Sequence, residues 1–351
     1  MNEPVRTLNK PTSMDIAYLA GVSQPTVSRA LRGSSMVHPE TRKRIEQIAK
    51  ELNYSVNKSA ASLRRQESNT IALLFFEDDT ADESHINPFF LGMLGSITRA
   101  CSDRGYDLLV SFQRFTDNWH VRYLEANRAD GLILLGYGEY LKYQARLEQL
   151  VKQGTPFVRW GSVNSAGIGT VLGSDNKEGG RLATEHLIAE RRHSVAFIGT
   201  ASSNYPEFLD RYHGYVEALK SAKKIVDKNL QLPALSSEQD GYDATLALIN
   251  NKQKFDGIVA ASDLIAIGAI RALRENNIDV PNDVSVVGFD DIPAASLTNP
   301  SLTTVSQELS VAGEWLVDTL LANIEGEQVQ SRAYPPRLVV RQSSTQGTKR
   351  F

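Results

Sequence analysis

From about residue 70 onward, short continuous apolar runs alternate with longer amphipathic stretches. The runs are Ile71–Phe76 (IALLFF), Asp107–Phe112 (DLLVSF), Gly131–Leu135 (GLILL), Pro156–Trp160 (PFVRW), Ser194–Gly199 (SVAFIG), Gly257–Ala261 (GIVAA) and Val284–Gly288 (VSVVG). A strand that is apolar on both faces has no side to show to water. It belongs in the middle of a sheet covered by helices on both sides, which is the doubly wound α/β arrangement with parallel strands. The number of runs is large enough for two such sheets. No internal repeat or low-complexity stretch interrupts the pattern.

The first 65 residues read differently. They hold 11 Lys+Arg against 5 Asp+Glu, a net of +6 within a 351-residue chain whose overall charge is −3. The remainder is left at −9. A basic head on an acidic body points to a head that meets a polyanion; the plain alternative is an uneven scatter of charge. The length allows two or three domains.

The head has the grammar of three short helices. Thr12-Ser13-Met14-Asp15 has capping-box spacing, followed by Ile16, Leu19 and Ala20 as one apolar face. Gly21 stands where a helix end needs positive φ. Ser23 is placed to cap a second helix, with Pro25 tolerated in its first turn, and Gly33 closes it. Pro39 opens a third helix with Ile45, Ile48, Ala49 and Leu52 at core spacing. Val22, Val27 and Leu31 pack the second helix inward. Gln24, Thr26, Ser28 and Arg29 are left on its front and outer face. These side chains suit the major groove: Arg grips guanine bidentately, Gln pairs with adenine, and small hydroxyls reach bases or phosphates. A generic helical hairpin has the same spacing. Pro25 reads first as a helix start.

TSMDIAYLAGVSQPTVSRALRG followed by PETRKRIEQIAKELNYSVNKSAASLRR closely resembles the DNA-binding head of the lactose/galactose repressor family (LacI/GalR). The resemblance runs without a gap over about 60 residues and includes the tail Asn57–Arg65, which looks like that family's hinge. It implies a hinge helix formed on operator DNA, with Leu63 wedged into the minor groove and Arg64 and Arg65 holding phosphates. An ordinary polar linker is the alternative for this tail. The DNA-binding residues expected on this basis are Thr12, Ser23, Gln24, Pro25, Thr26, Ser28, Arg29, Asn57, Ser62, Leu63 and Arg64. His38 departs from the family, which commonly has a Ser or Thr helix cap there.

The body resembles the same family's effector-binding region, built like a periplasmic sugar-binding protein. The matching pieces are NPFF (87–90), ADGLI (129–133), GSDNKEGG (173–180), ASD (261–263), VVGFDD (286–291), TTV (303–305) and VVRQSS (339–344). The fold expected is therefore a small all-α helix-turn-helix DNA-binding head plus an α/β two-lobed periplasmic-binding-protein-like effector domain. The resemblance implies a head over 1–56, a hinge over 57–69 and an effector and dimerisation domain over 70–351. One lobe takes about 70–175 and 308–335, the other about 176–307 and 336–351. The chain is expected to cross between lobes near 175, 307 and 336, with ligand in the cleft at the carboxyl ends of strands.

The resemblance also implies an effector site. Asp290 corresponds to the acid that grips effector hydroxyls or polar ring atoms, and Arg211 to an arginine that bonds the ligand from the other side. Phe89, Phe90 and Trp160 line the mouth, and Tyr205, Ser262, Asp263 and Gln307 complete the ring. Plainer readings stand beside these. Asp290 and Asp175 suit helix caps, Arg211 a surface ion pair, and the three aromatics the core. Near Ser236, where several members carry an aromatic residue on the ligand, this chain is small and polar. The effector expected is a sugar or sugar derivative.

Other classes find less support. The single cysteine, Cys101, forms no intramolecular disulfide and fits a reducing compartment. The start lacks a secretory apolar core and no run of about 20 apolar residues exists, so a cytoplasmic protein without membrane contact is expected. No G-x-S-x-G, phosphate loop or H-E-x-x-H motif appears and the six histidines lack metal spacing. An enzyme, a cofactor and a metal are therefore not expected. The partners expected are operator DNA, a small-molecule effector and a second copy in a homodimer. The C-terminus carries no leucine heptads for a tetramer. The competing reading is a soluble sugar-binding protein of the transport type with no DNA role.

Overall fold

A computed structural model describes residues 11–31, 33–54, 67–76, 86–113, 118–136, 140–164 and 167–345. The chain divides into two compact units, Met1–Glu67 and Ser68–Phe351.

The first unit holds α1 (Ser13–Ala20), α2 (Gln24–Leu31) and α3 (Pro39–Glu51). Thr12 and Asp15 form a reciprocal capping box at the start of α1, and Gly21 ends it in the left-handed region at φ 60°. Pro39 opens α3, and His38 before it makes no side-chain cap bond. Ile16, Ala17, Ala20, Val27, Ala30, Val37, Ile45 and Ala49 make the small core, with Val22, Leu31, Ile48 and Leu52 packed against it. Leu19 departs from expectation: it is 56% exposed. The face of α1 that meets the other two helices runs through Ile16, Ala17 and Ala20, and Leu19 points away from that stripe.

The second unit carries two six-stranded sheets. The first contains β1 (Thr70–Phe76), β2 (Asp107–Gln113), β3 (Gly131–Leu135), β4 (Phe157–Trp160) and β5 (Thr170–Ser174), joined through α4 (Pro88–Asp103), a π-helical turn (His120–Glu125) and α5 (Tyr140–Lys152). Next, α6 (Asn176–Ala189) leads into the second sheet: β6 (Val195–Ile198), α7 (Pro206–Ser221), β7 (Gln231–Leu232), α8 (Glu238–Asn250), β8 (Gly257–Ala260), α9 (Asp263–Glu275), β9 (Ser285–Asp290) and β10 (Thr303–Ser306). The chain then returns as α10 (Leu309–Ile324), packed on α4, β3 and β4. It ends in β11 (Arg332–Tyr334), on the edge of the first sheet beside β5, and β12 (Arg337–Val339), antiparallel to β10 on the second. The strand orders are β11-β5-β4-β3-β1-β2 and β12-β10-β9-β8-β6-β7.

Each of the seven apolar runs is a strand, buried from end to end in β3, β4, β6, β8 and β9. In each sheet the strands on either side of the central one leave in opposite directions. That switch leaves a crevice at their carboxyl ends, and every loop that bears candidate effector residues opens there.

Candidate functional site: a nucleic-acid face and an effector cleft

In the head, Val27 is fully buried, and this fixes the rotation of α2 about its axis. Ser23, Gln24, Pro25 and Arg29 are exposed, and Thr26 and Ser28 are half-buried. The Ser23 and Thr26 hydroxyls share a hydrogen bond of 2.8 Å, and Gln24 Nε2 donates to Ser13 Oγ at 3.0 Å. The Thr12 N–H and hydroxyl both donate to Asp15 Oδ2 at 2.7 Å, which holds the Asp15 carboxyl below its ordinary pKa. Arg44 Nη2 donates to the Ala20 carbonyl at 2.5 Å, placing a cation on the C-terminal end of α1. Tyr18, 87% exposed, and Met36, 83% exposed, are apolar surface that the sequence reading did not single out. Asn57, Ser62, Leu63 and Arg64 lie outside the described residues.

In the body, the structure brings Arg211, Asp290 and Gln307 together. Arg211 sits in the first half of α7, on its buried face. Its Nε donates to Asn176 Oδ1 at 2.8 Å and its Nη1 to the Ala261 carbonyl. The guanidinium stacks over the Phe289 ring at 3.7 Å. Asp290 ends β9 with φ at 116°, a conformation that an L-residue adopts only when its surroundings impose it. Asp291 follows at φ 57°, its carboxylate bonded by Arg341 Nη2 at 2.7 Å. Gln307 Nε2 donates to Asp290 Oδ1 at 2.6 Å. The surface ion pair that Arg211 also suited is not what forms, because the residue is buried.

Asp263 turns elsewhere. Its Oδ2 accepts from the Ile292 N–H at 2.9 Å and its Oδ1 from the Thr304 hydroxyl. Burial first, then the nearby charge of Asp290, pushes its pKa well above the ordinary carboxyl value. With each oxygen accepting a bond inside the protein, Asp263 braces the turn after β9. Ser262 caps α9, and its Oγ accepts from Ser236 Oγ at 2.9 Å. Ser236 in turn accepts from Asn87 Nδ2 at 3.0 Å, so a hydroxyl relay links the two lobes. Asp175 caps α6 through the Glu178 N–H at 2.9 Å, the plainer of its two readings.

Phe89, Phe90 and Trp160 all belong to the large core cluster. The two phenylalanines meet edge to face with centroids 5.1 Å apart. They lie in the core, the plainer of their two readings. Tyr205 is half-buried at the N-terminus of α7. The sequence reading missed Asn176, which orients Arg211, Arg159, which is buried over the Tyr140 ring, and Glu207, which accepts from the Ser162 N–H. Arg159 had a visible signal: it is the one charged side chain within the apolar run PFVRW.

The chain matches two known family profiles. "Bacterial regulatory proteins, lacI family" covers residues 12–57, and "Periplasmic binding protein-like domain" covers residues 184–344. The HTH-type transcriptional regulator CelR of Thermobifida fusca is 32% identical over 337 residues, 94% of this chain and 96% of CelR. A solved CelR–cellobiose complex superposes with a TM-score of 0.70 at 30% identity, covering 95% of this chain and 99% of that one. The Lac repressor dimer bound to operator and the anti-inducer ONPF superposes with a TM-score of 0.83 at 26% identity, covering 96% and 99%. A helix-turn-helix head with an exposed recognition face, joined to a two-lobed cleft and related along nearly its whole length to such proteins, identifies the chain as a DNA-binding transcriptional regulator of the lacI family.

Proposed function

We propose that the protein is a repressor that binds a palindromic operator as a homodimer and is controlled by a sugar or sugar derivative. On this reading α2 enters the major groove. Gln24, Pro25 and Arg29 read base edges there, while Thr12, Ser23, Thr26 and Ser28 meet phosphates or bases. Asn57, Ser62, Leu63 and Arg64 act in the minor groove at the centre of the site, where Leu63 opens a base step. Two heads on a two-fold axis engage half-sites about one helical turn apart.

The observation that carries the effector half is the buried Arg211–Asp290–Gln307 constellation at the carboxyl ends of the second sheet. A five-donor fork beside an acceptor suits a ligand rich in hydroxyls. Phe89, Phe90, Trp160, Tyr205 and Ser262 supply the apolar and polar walls. Asp263 serves this site by holding the turn that carries Asp290. The protein works by binding, in the cytoplasm, without a chemical step. Sugar binding shifts the lobes and changes operator affinity by on the order of 1–3 kcal/mol.

The test is selection of bound duplexes from a random DNA pool, with Leu63→Ala in parallel. The expected product is a palindrome of roughly 14–20 base pairs whose central-step preference is lost in the variant. The recovered operator then reports release by candidate sugars. No enrichment by the wild type at low salt, with and without those sugars, overturns the reading and leaves a sugar-binding protein of the transport type.

A further inference from the structure

Ser13 is the first residue of α1 and Gln24 the first residue of α2. Gln24 Nε2 donates to Ser13 Oγ at 3.0 Å, a bond between residues 11 positions apart. It ties the start of one helix to the start of the other. The first turn of α1 is itself braced. The Thr12 N–H and hydroxyl both donate to Asp15 Oδ2 at 2.7 Å, and the Asp15 N–H donates back to Thr12 Oγ1 at 3.4 Å. Buried Val27 fixes the rotation of α2. Ser13 is half-buried and Gln24 is exposed. A side chain that stands in solvent is therefore held by an anchor on a fixed turn.

A glutamine amide carries two N–H donors and one carbonyl acceptor. Ser13 takes one donor. The second N–H and Oε1 have no partner among the described residues. A donor and an acceptor on one planar group complement the N7 acceptor and the N6–H2 donor of adenine in the major groove. An amide that turns freely offers the reverse order as readily. The Ser13 hydroxyl removes that freedom once its own hydrogen is engaged. The first helix of a helix-turn-helix crosses the DNA backbone, and a helix N-terminus favours phosphate there. A Ser13 O–H donated to a phosphate oxygen leaves Oγ as acceptor only. The amide must then turn an N–H toward it, as it does here.

We infer that Ser13 is a positioning residue for base reading: its hydroxyl fixes the orientation of the Gln24 amide, and so makes Gln24 select adenine. The inference rests on the reading that α2 enters the major groove with Gln24 at the base edges. It names what sets the choice of base at that contact. A phosphate contact and a base contact are then joined through one serine, so backbone docking and sequence reading reinforce each other.

The test is competition binding of the full chain to the selected operator and to duplexes with each half-site base pair replaced in turn. Gln24→Ala is expected to flatten the preference at one position, where the preferred base is adenine. Ser13→Ala is expected to narrow the preference at that same position about 3- to 10-fold, the usual worth of one uncharged hydrogen bond. Preferences elsewhere stay as in the wild type. Ser13→Thr keeps the hydroxyl and should restore the preference. The double variant Ser13→Ala, Gln24→Ala should discriminate no worse than Gln24→Ala alone. Alanine is a better helix former than serine, so Ser13→Ala leaves α1 intact. A Ser13→Ala variant that weakens every duplex equally, or changes nothing, overturns the inference and spares base reading by Gln24. So does a Gln24-dependent position that prefers a base other than adenine. If Gln24→Ala reads every position as the wild type does, or no operator is recovered, both readings fall.

Discussion

Arg211 Nη1 lies 3.6 Å from Asp290 Oδ1, and the two side chains are 1% and 2% exposed. Neither group is solvated, so each depends on the other and on fixed neighbours. For Arg211 these are Asn176, Ala261 and the Phe289 ring; for Asp290 the neighbour is Gln307. On the proposed reading, a ligand meets charges that are already oriented, and little ordering remains to be done.

Removing one partner leaves the other charged and buried. Asp290→Ala is expected to destabilise the body by about 3–5 kcal/mol, read as a lower urea midpoint. Asp290→Asn keeps the shape and the Gln307 contact and should lose less stability. An alanine variant as stable as the wild type would show that Arg211 is balanced by its other partners alone.

Asp263 makes stability depend on pH. Its proton is held more tightly in the folded state than at the ordinary carboxyl value of 3.8, because of burial first and the charge of Asp290 second. The stability it lends is complete below that ordinary value and is lost as pH rises through the raised folded-state value. Asp263→Asn mimics the protonated form. Its urea midpoint should fall less than that of the wild type between pH 4 and pH 8. Parallel profiles for the two proteins would contradict this.

The position of Arg211 depends on two glycines. A Cβ at Gly180 would lie 2.0 Å from the Arg211 carbonyl oxygen, and one at Gly214 would lie 1.9 Å from the Lys177 carbonyl oxygen. Helices α6 and α7 touch backbone to backbone there. Gly180→Ala is expected to cost about 1–3 kcal/mol by overpacking and to weaken effector binding without touching the ligand. Gly95→Ala is the control, since a Cβ there meets nothing within 4 Å. Equal effects of the two substitutions on binding would refute the argument.

On the head, Arg29→Ala is expected to cost about 1–3 kcal/mol in operator affinity and to relax preference at one base pair per half-site. Competition binding with single-base operator variants checks it. A uniform loss across all variants would instead assign Arg29 to a phosphate.

Local devices were legible because their causes are local. The capping box joins residues three apart, Gly21 needs positive φ whatever surrounds it, and Pro39 starts a helix by its own ring. The apolar runs were legible because a strand buried on both faces leaves no polar position. β5 and β10 escaped that rule: they read TVLGS and TTVS, and burial of their hydroxyls depends on neighbouring strands. Strands of two or three residues, β7, β11 and β12, carry too little pattern to register.

The cleft divides along the same line. The sequence by itself determined a basic three-helix head, a doubly wound body and the residue types available to a ligand, since periodicity and capping act within a few residues. Which side chains meet was decided only by tertiary structure. Ser236 bonds a residue 26 positions away, Arg211 one 35 away and Thr304 one 41 away. That is why Asp263, next to Ser262 in sequence, became a brace, while Arg159, hidden in an apolar run, was buried over the Tyr140 ring. Burial in a low-dielectric interior makes every polar group find a partner or pay for its absence, and only the assembled lobes determine which.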